Sequence, residues 1–177
     1  MRGLGDILES ALCRFESLAR VRVRGIIPGE IGAEGLAFQA GAHLGLPVAD
    51  SDLVGGRAAP EIQMDVFSVY RIPITPALAA TSRRKSLFFS GAFSAKEIEE
   101  VVRGFFKRSG SAGVLVGYPI QARDYRTVGI SGTVTSAIEI GEYLSRGDLD
   151  GLLGKFRGAV LFRGKVNKVT LQSEGGF

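Results

Sequence analysis

The stretch Val21-Arg22-Val23-Arg24-Gly25-Ile26-Ile27-Pro28-Gly29-Glu30-Ile31-Gly32-Ala33-Glu34-Gly35-Leu36-Ala37-Phe38-Gln39-Ala40-Gly41-Ala42-His43-Leu44-Gly45-Leu46-Pro47-Val48-Ala49 decides the fold class. Val21 to Ile27 alternates at first and turns apolar at Ile26-Ile27, the pattern of a strand with one solvated end. Pro28-Gly29 breaks it. A helix follows to about Leu44, with Gly45 as its stop and Pro47 just beyond. Its small residues (Ala33, Gly35, Ala37, Ala40, Gly41, Ala42) allow close approach to a sheet or another helix. Pro47-Val48-Ala49 closes the unit as the end of a short apolar strand. Strand, glycine-bearing turn, helix, strand is a βαβ unit, and that connection calls for a parallel pair.

The flanking sequence continues the alternation. Asp6 to Ala19 carries apolar residues at helical spacing behind Asp6 as N-cap. Met64 to Tyr70 alternates as a strand would. Pro73 and Pro76 make Ile72 to Leu78 irregular, and Lys85 to Ser90 reads as a strand after the basic turn Ser82-Arg83-Arg84-Lys85. Ser94 and Glu97 form a capping box ahead of a helix with Ile98, Val101, Val102, Phe105 and Phe106 on one face. Ala112 to Gly117 is a short apolar strand and Asp124 to Arg126 a polar turn. Gly129 to Thr133 starts a helix with Val134, Ala137, Ile138, Gly141 and Leu144 inward. Gly147-Asp148 ends it and caps the next, and Ala159 to Leu171 reads as two strands bent at Gly164. These elements predict an α/β fold: a mixed, partly parallel sheet with helices packed on its faces, in a single domain spanning residues 1–177.

Composition bounds the chemistry. The chain has 177 residues, is 45% hydrophobic and 23% charged, and carries a net charge of +4. That balance is ordinary for a globular protein and favours anionic partners only weakly. Nucleic acid ranks last among the partners considered. No apolar run reaches the roughly 20 residues that span a bilayer, and Met1 to Ala11 lacks the pattern of a signal peptide. One cysteine permits no internal disulfide, which together predicts a cytoplasmic protein. One histidine and one cysteine exclude a zinc site built from a single chain's Cys and His. Cys13 lies off the apolar stripe of the first helix and reads as a spectator thiol rather than a nucleophile. His43 reads as structural or solvated rather than catalytic.

The residues able to carry chemistry cluster in two loops that follow the strands of the βαβ unit. One holds Glu30 and Glu34. The other runs from Asp50 to Met64 and holds Asp50, Asp52, Arg57, Glu61 and Gln63. In a parallel pair both loops leave the same sheet edge, where α/β proteins bind ligands. The functional reading is a polar small-molecule site with a carboxylate as general base and Arg57 orienting an anionic or carbonyl group. The local reading is that Asp50 and Asp52 cap a turn and Glu61 caps after Pro60. The cofactor is unknown; any metal would be an oxygen-ligated divalent cation such as magnesium, manganese or calcium. Gly55-Gly56-Arg57 is not a phosphate loop. Gly129 to Thr133 can offer backbone N–H groups to an anion or simply begin a helix.

Pro28-Gly29-Glu30-Ile31-Gly32, Leu44-Gly45-Leu46-Pro47-Val48-Ala49-Asp50-Ser51-Asp52 and Arg57-Ala58-Ala59-Pro60-Glu61-Ile62-Gln63-Met64 resemble a family long catalogued as a domain of unknown function. That family is associated with S-methyl thiohydantoin desulfurase and with hydantoinase and oxoprolinase subunits. Thr75-Pro76-Ala77-Leu78, Gly132-Thr133, Leu161 to Val166 and Glu174-Gly175-Gly176-Phe177 extend the resemblance in order. It implies a hydrolase-like enzyme, or enzyme fragment, acting on a hydantoin or thiohydantoin ring. The alternative is a non-catalytic binding or assembly module in a hydantoinase-type complex. Asp50, Asp52 and Glu61 are the candidate catalytic residues, and Glu30, Glu34, Arg57, Gln63, Gly132 and Thr133 the candidate substrate contacts. The resemblance further implies the core of the family's N-terminal domain, without a glycine-rich leading segment or a β-rich C-terminal domain. Its expected partners are a small-molecule substrate and either a second copy of the chain or a separately encoded complementary domain, with no membrane.

Overall fold

A computed structural model describes residues 4–30, 32, 34–55, 67, 69–110 and 113–170. The chain falls into two compact units, Met1–Val134 and Thr135–Phe177. Among the described residues no helix is long and apolar enough to cross a membrane.

The first unit is built on one short strand. β2 (Ala77–Thr81) lies between β3 (Ser86–Phe89) and β4 (Gly113–Val116), antiparallel to both. All five of its residues are buried. Ala77 and Ala79 face one cluster, with Ile74, Phe89 and the helix α3 (Ala95–Ser109) through Ile98 and Val102. Leu78 and Ala80 face the opposite cluster, with Ala11 and Phe15 of α1 (Leu4–Ala19). A strand covered by a helix on each face needs a continuous apolar run rather than polar alternation. That is why Ala-Leu-Ala-Ala-Thr works here, although alanine has little preference for strands. Ile72 to Leu78 is therefore irregular only up to Pro76; the central strand begins at the next residue.

The βαβ unit forms in reduced shape. α2 (Glu34–Leu44) connects Ile26 to Val48, which pair in parallel as an isolated bridge. The Ile26 N–H donates to the Pro47 carbonyl and the Ala49 N–H to the Ile26 carbonyl, each at 2.9 Å. The small residues of α2 matter as expected. A Cβ on Gly41 would lie 2.5 Å from Val48 Cγ2 and 2.9 Å from the Leu46 carbonyl oxygen. The named sheets are all antiparallel, so among the described residues the parallel component is confined to this bridge. Val21 to Ile27 is not a full strand. Its Val23 N–H donates instead to the Glu16 side chain of α1 at 2.7 Å, which satisfies the backbone without a ladder.

Local signals set the other elements. Asp6 lies inside the first turn of α1 rather than capping it, a position that still suits the helix dipole. At α3 the capping box is complete: the Glu97 N–H donates to Ser94 Oγ at 3.2 Å and the Ser94 N–H to Glu97 Oε2 at 2.8 Å. The Ser94 backbone and hydroxyl hydrogen bonds hold the Glu97 carboxyl below its ordinary value. Gly110 ends the helix in the left-handed conformation. Residues 124–126 belong to a helix, α4 (Ala122–Val128), and not to a polar turn. Of the expected strand Met64 to Tyr70, the described residues Phe67 and Val69 are helical. Phe67 is fully buried and packs at 4.7 Å between ring centroids against Tyr118, so tertiary packing overrides the alternation. β1 (Ser51–Asp52) pairs antiparallel with β5 (Ile130–Ser131).

α5 (Thr133–Arg146) begins at the end of the first unit, and the second unit holds the rest of it together with α6 (Leu149–Phe156). Asp148 caps α6 by accepting from the Gly151 N–H at 2.9 Å, and Lys155 pairs with Glu139 at 3.4 Å. The two strands expected in Ala159 to Leu171 do not form over residues 159–170. A strand requires a ladder partner, and here Leu161 and Phe162 are 96% and 86% exposed. The α/β class holds: helices cover both faces of a small sheet.

Two substitutions test this account. A Cβ on Gly113 would collide with the Phe106 ring and lie 2.5 Å from the Ala80 carbonyl oxygen. Gly113→Ala is expected to destabilise the fold by about 1–3 kcal/mol in urea unfolding; an unchanged midpoint would contradict the packing of α3 on the sheet. Ser94→Ala is expected to cost about 1 kcal/mol. Because the Glu97 carboxyl titrates below its ordinary 4.5 in the folded state, its support is present above that value and is lost as pH falls through the lower folded value. The stability gap between Ser94→Ala and the parent should therefore narrow in acid.

Candidate functional site

The β1–β5 pair brings together two segments that lie about 80 residues apart in sequence, Asp50–Gly55 and Ile130–Thr133. Ser51 aligns with Ser131 and Asp52 with Ile130. The Gly132 N–H donates to the Asp50 carbonyl at 2.8 Å. Gly132 holds φ at +79°, a conformation that favours glycine, and the space a Cβ would occupy there is open. α5 starts at the next residue. The Thr133 hydroxyl oxygen is buried and has no hydrogen-bond partner among the described residues.

Asp52 is 1% exposed. A carboxylate this deep needs donors, and the backbone supplies them: Oδ1 accepts from the Val54 N–H at 3.0 Å and the Gly55 N–H at 2.6 Å. This is the local turn-capping role of an Asx turn. Gly55 completes it at φ +73°. Below the turn, Leu53 and Val54 pack with Phe67 in a buried cluster lined by Ile27, Tyr118, Tyr125 and Val128.

Beside Asp52 runs a chain of hydroxyls. Tyr125 of α4 donates to Ser51 Oγ at 2.6 Å, and Ser51 donates to the Ile130 carbonyl at 2.6 Å. The Tyr125 hydroxyl is pushed above the ordinary tyrosine value, first by burial and then by the nearby Asp52 charge; the hydrogen bond to Ser51 opposes both. Ser51 and Tyr125 escape the sequence reading. Tyr125 sits in a seven-residue helix with no apolar stripe, and nothing in its neighbourhood points to residue 51.

The sequence-derived candidates divide as follows. Asp50, Asp52, Gly132 and Thr133 come together around the β1–β5 pair. The Glu30 loop approaches it, because the Leu53 N–H donates to the Gly29 carbonyl at 3.4 Å. Glu34 turns to its own loop, where Oε2 accepts from the Gly32 N–H at 2.7 Å in an exposed setting. Arg57, Glu61 and Gln63 lie outside the described residues. Asp50 is exposed while Asp52 is buried, so the two carboxylates do not present the same surface. Among the described residues no three His, Cys, Asp or Glu side chains gather as a metal ion would require. His43 lies 3.3 Å from Glu9, both on the surface, and Cys13 is exposed.

The fold and this strand-pair site define a mixed α/β protein with a polar cluster at a strand end. Two family models match it: the S-Me-THD-like N-terminal domain over residues 4–91 and the S-Me-THD-like C-terminal domain over residues 94–177. The chain belongs to this family, which is associated with S-methyl thiohydantoin desulfurase. The matches take in the C-terminal-domain model as well as the N-terminal one, beyond the N-terminal core that the resemblance implied. A crystal structure of a protein from Chromobacterium violaceum shares the fold, with a TM-score of 0.71 and 23% identity. The alignment covers 86% of this chain and 44% of that one, so the chain spans less than half the length of that protein. No curated protein matches the chain.

The hydroxyl chain is open to direct measurement. In the folded protein Tyr125 is expected to ionise above pH 10, seen as one tyrosine missing from the 295 nm absorbance titration and absent from the difference in Tyr125→Phe. The raised value favours the neutral form in the fold, so the associated stability is present below the ordinary value and is lost as pH rises through the folded one. Asp52→Asn removes a charge that raises it and should bring the transition down. A Tyr125 titration indifferent to Asp52 would contradict the arrangement.

Proposed function

We propose that the chain contributes the Asp50–Thr133 site to hydrolysis of an S-substituted thiohydantoin or related cyclic ureide. The observation that carries this reading is the convergence of Asp50, Asp52, Gly132 and Thr133 in a member of the S-Me-THD-like family. In the reaction, water attacks the ring carbon that bears sulfur. A C–O bond forms as the C=N electron pair moves to the ring nitrogen; one water proton passes by way of a base to that nitrogen, and the C–S bond then breaks as the C=O bond forms. The departing sulfur takes up the other water proton, leaving a thiol and a ring carbonyl. Asp50, exposed at the strand end, is the base in this scheme. Asp52 acts through the Val54 and Gly55 turn and supplies negative charge beneath the site. Gly132, beside which the space is open, lets the ring approach, and the Thr133 hydroxyl, buried and without a partner among the described residues, receives the ring oxygen or the developing anion. Glu61 is assigned proton transfer to the leaving group, Arg57 orientation of the ring, and Glu30, Glu34 and Gln63 contacts to its polar edge.

A second reading rests on the same family membership: a non-catalytic module that binds or assembles with a complementary chain, of the hydantoinase type or a second copy of itself.

Thiol release from an S-methyl thiohydantoin, followed with a chromogenic disulfide, separates the two readings. On the enzymatic reading Asp50→Asn lowers the rate by about 10²-fold or more, and ring ligands raise the melting temperature. Neither thiol release nor stabilisation by any hydantoin or thiohydantoin, with co-purification of a partner chain instead, sinks the enzymatic reading in favour of the module.

A further inference from the structure

We propose that the pocket between α1 and the β2–β3 turn binds a small oxyanion, a phosphate or sulfate group. The pocket is a recess of about 30 Å³, roughly twice what a single water needs. Arg14 of α1 and Arg84 and Lys85 of the turn line it, and Asp6 is the single acid on the lining, leaving a net charge of +2. Hydroxyls of Ser10 and Ser82 also line it and add donors. The floor is dry, with Ala11 1%, Ala80 8% and Thr81 3% exposed, which strengthens charge interactions above it.

The cations of this recess come from two elements and are exposed to solvent. Arg22, Arg103, Arg123 and Lys155 each lie against a carboxylate. Among the described residues Arg14, Arg84 and Lys85 have no carboxylate in ion-pair range, although Asp6 lines the same recess. An anion in the recess would offset the positive balance of its lining. Arg84 holds φ at +60°, the left-handed region where glycine or asparagine is favoured. The turn is locked there by the Arg84 N–H donating to the Thr81 carbonyl at 3.0 Å and the Thr81 N–H to the Lys85 carbonyl at 2.9 Å. Guanidinium groups on two elements match the geometry of a tetrahedral oxyanion. This site is separate from the Asp50–Thr133 cluster and does not depend on the function proposed for it.

Isothermal titration of the full chain with inorganic phosphate and with sulfate, against chloride at equal ionic strength, tests the proposal. Saturable binding of phosphate or sulfate, absent for chloride, is expected. Arg84→Gly relieves the backbone strain and should fold at least as well as the parent, yet it should weaken binding about tenfold or more. Lys85→Ala should weaken it as well, and Arg163→Ala, in the second unit, should leave it unchanged. Tighter binding of inorganic phosphate than of glycerol 3-phosphate identifies the free ion, and the reverse order a phosphomonoester; either supports the pocket. Heats indistinguishable from chloride, or a folded Arg84→Gly that binds as the parent does, overturn it.

Discussion

The first unit depends on the absence of bulk in β2. Ala77, Ala79 and Ala80 leave room for α3 on one face of the sheet and α1 on the other, so that a three-stranded sheet gains two covering helices. Close-packed interiors tolerate little change of volume, and the constraint passes outward from here. Gly113 is glycine because Phe106 and the Ala80 carbonyl occupy the space beside it. Ile98 and Phe15 are among the largest fully buried side chains because they close the two faces. The polar cluster at Ser51–Asp52 stands on a neighbouring hydrophobic floor, and Tyr118 joins both, packing against the α3 cluster and against Phe67.

Much of this was legible in the sequence where the cause is local. The Ser94–Glu97 box, the amphipathic run behind it and the small-residue helix between Ile26 and Val48 all carry their reasons within a few residues. The central strand does not. Two prolines precede it, its residues do not alternate, and its burial on both faces comes from helices far away in sequence. Helix α4 was hidden for a different reason: seven mostly polar residues have no apolar stripe, and only Tyr125 and Val128 reach the core cluster. The expected strands after Ala159 show the converse, a β-like sequence with no partner to pair with.

The candidate site divides along the same line. Asp50, Asp52, Gly132 and Thr133 could be selected by residue type and by resemblance, and the β1–β5 pair places them side by side. Their division of labour could not be selected that way. Two acidic residues one position apart look equivalent in sequence, yet backbone donors take up the Asp52 carboxylate while Asp50 is exposed. Ser51 looks like a spacer between them, although it is the link through which Tyr125 reaches the Ile130 carbonyl.

The two family models meet between Gly91 and Ser94, but hydrogen bonding ignores that border. β4 and β5 come from the C-terminal match and pair with β2 and β1 from the N-terminal one. The border is therefore one of sequence bookkeeping and not a seam between folding units. A laboratory cut at that point would leave β2 with a bare edge and a row of unmet backbone groups, the template on which strands from other molecules add. Selection acting on either half is consequently felt by the other, and the pieces are inherited as a single physical object.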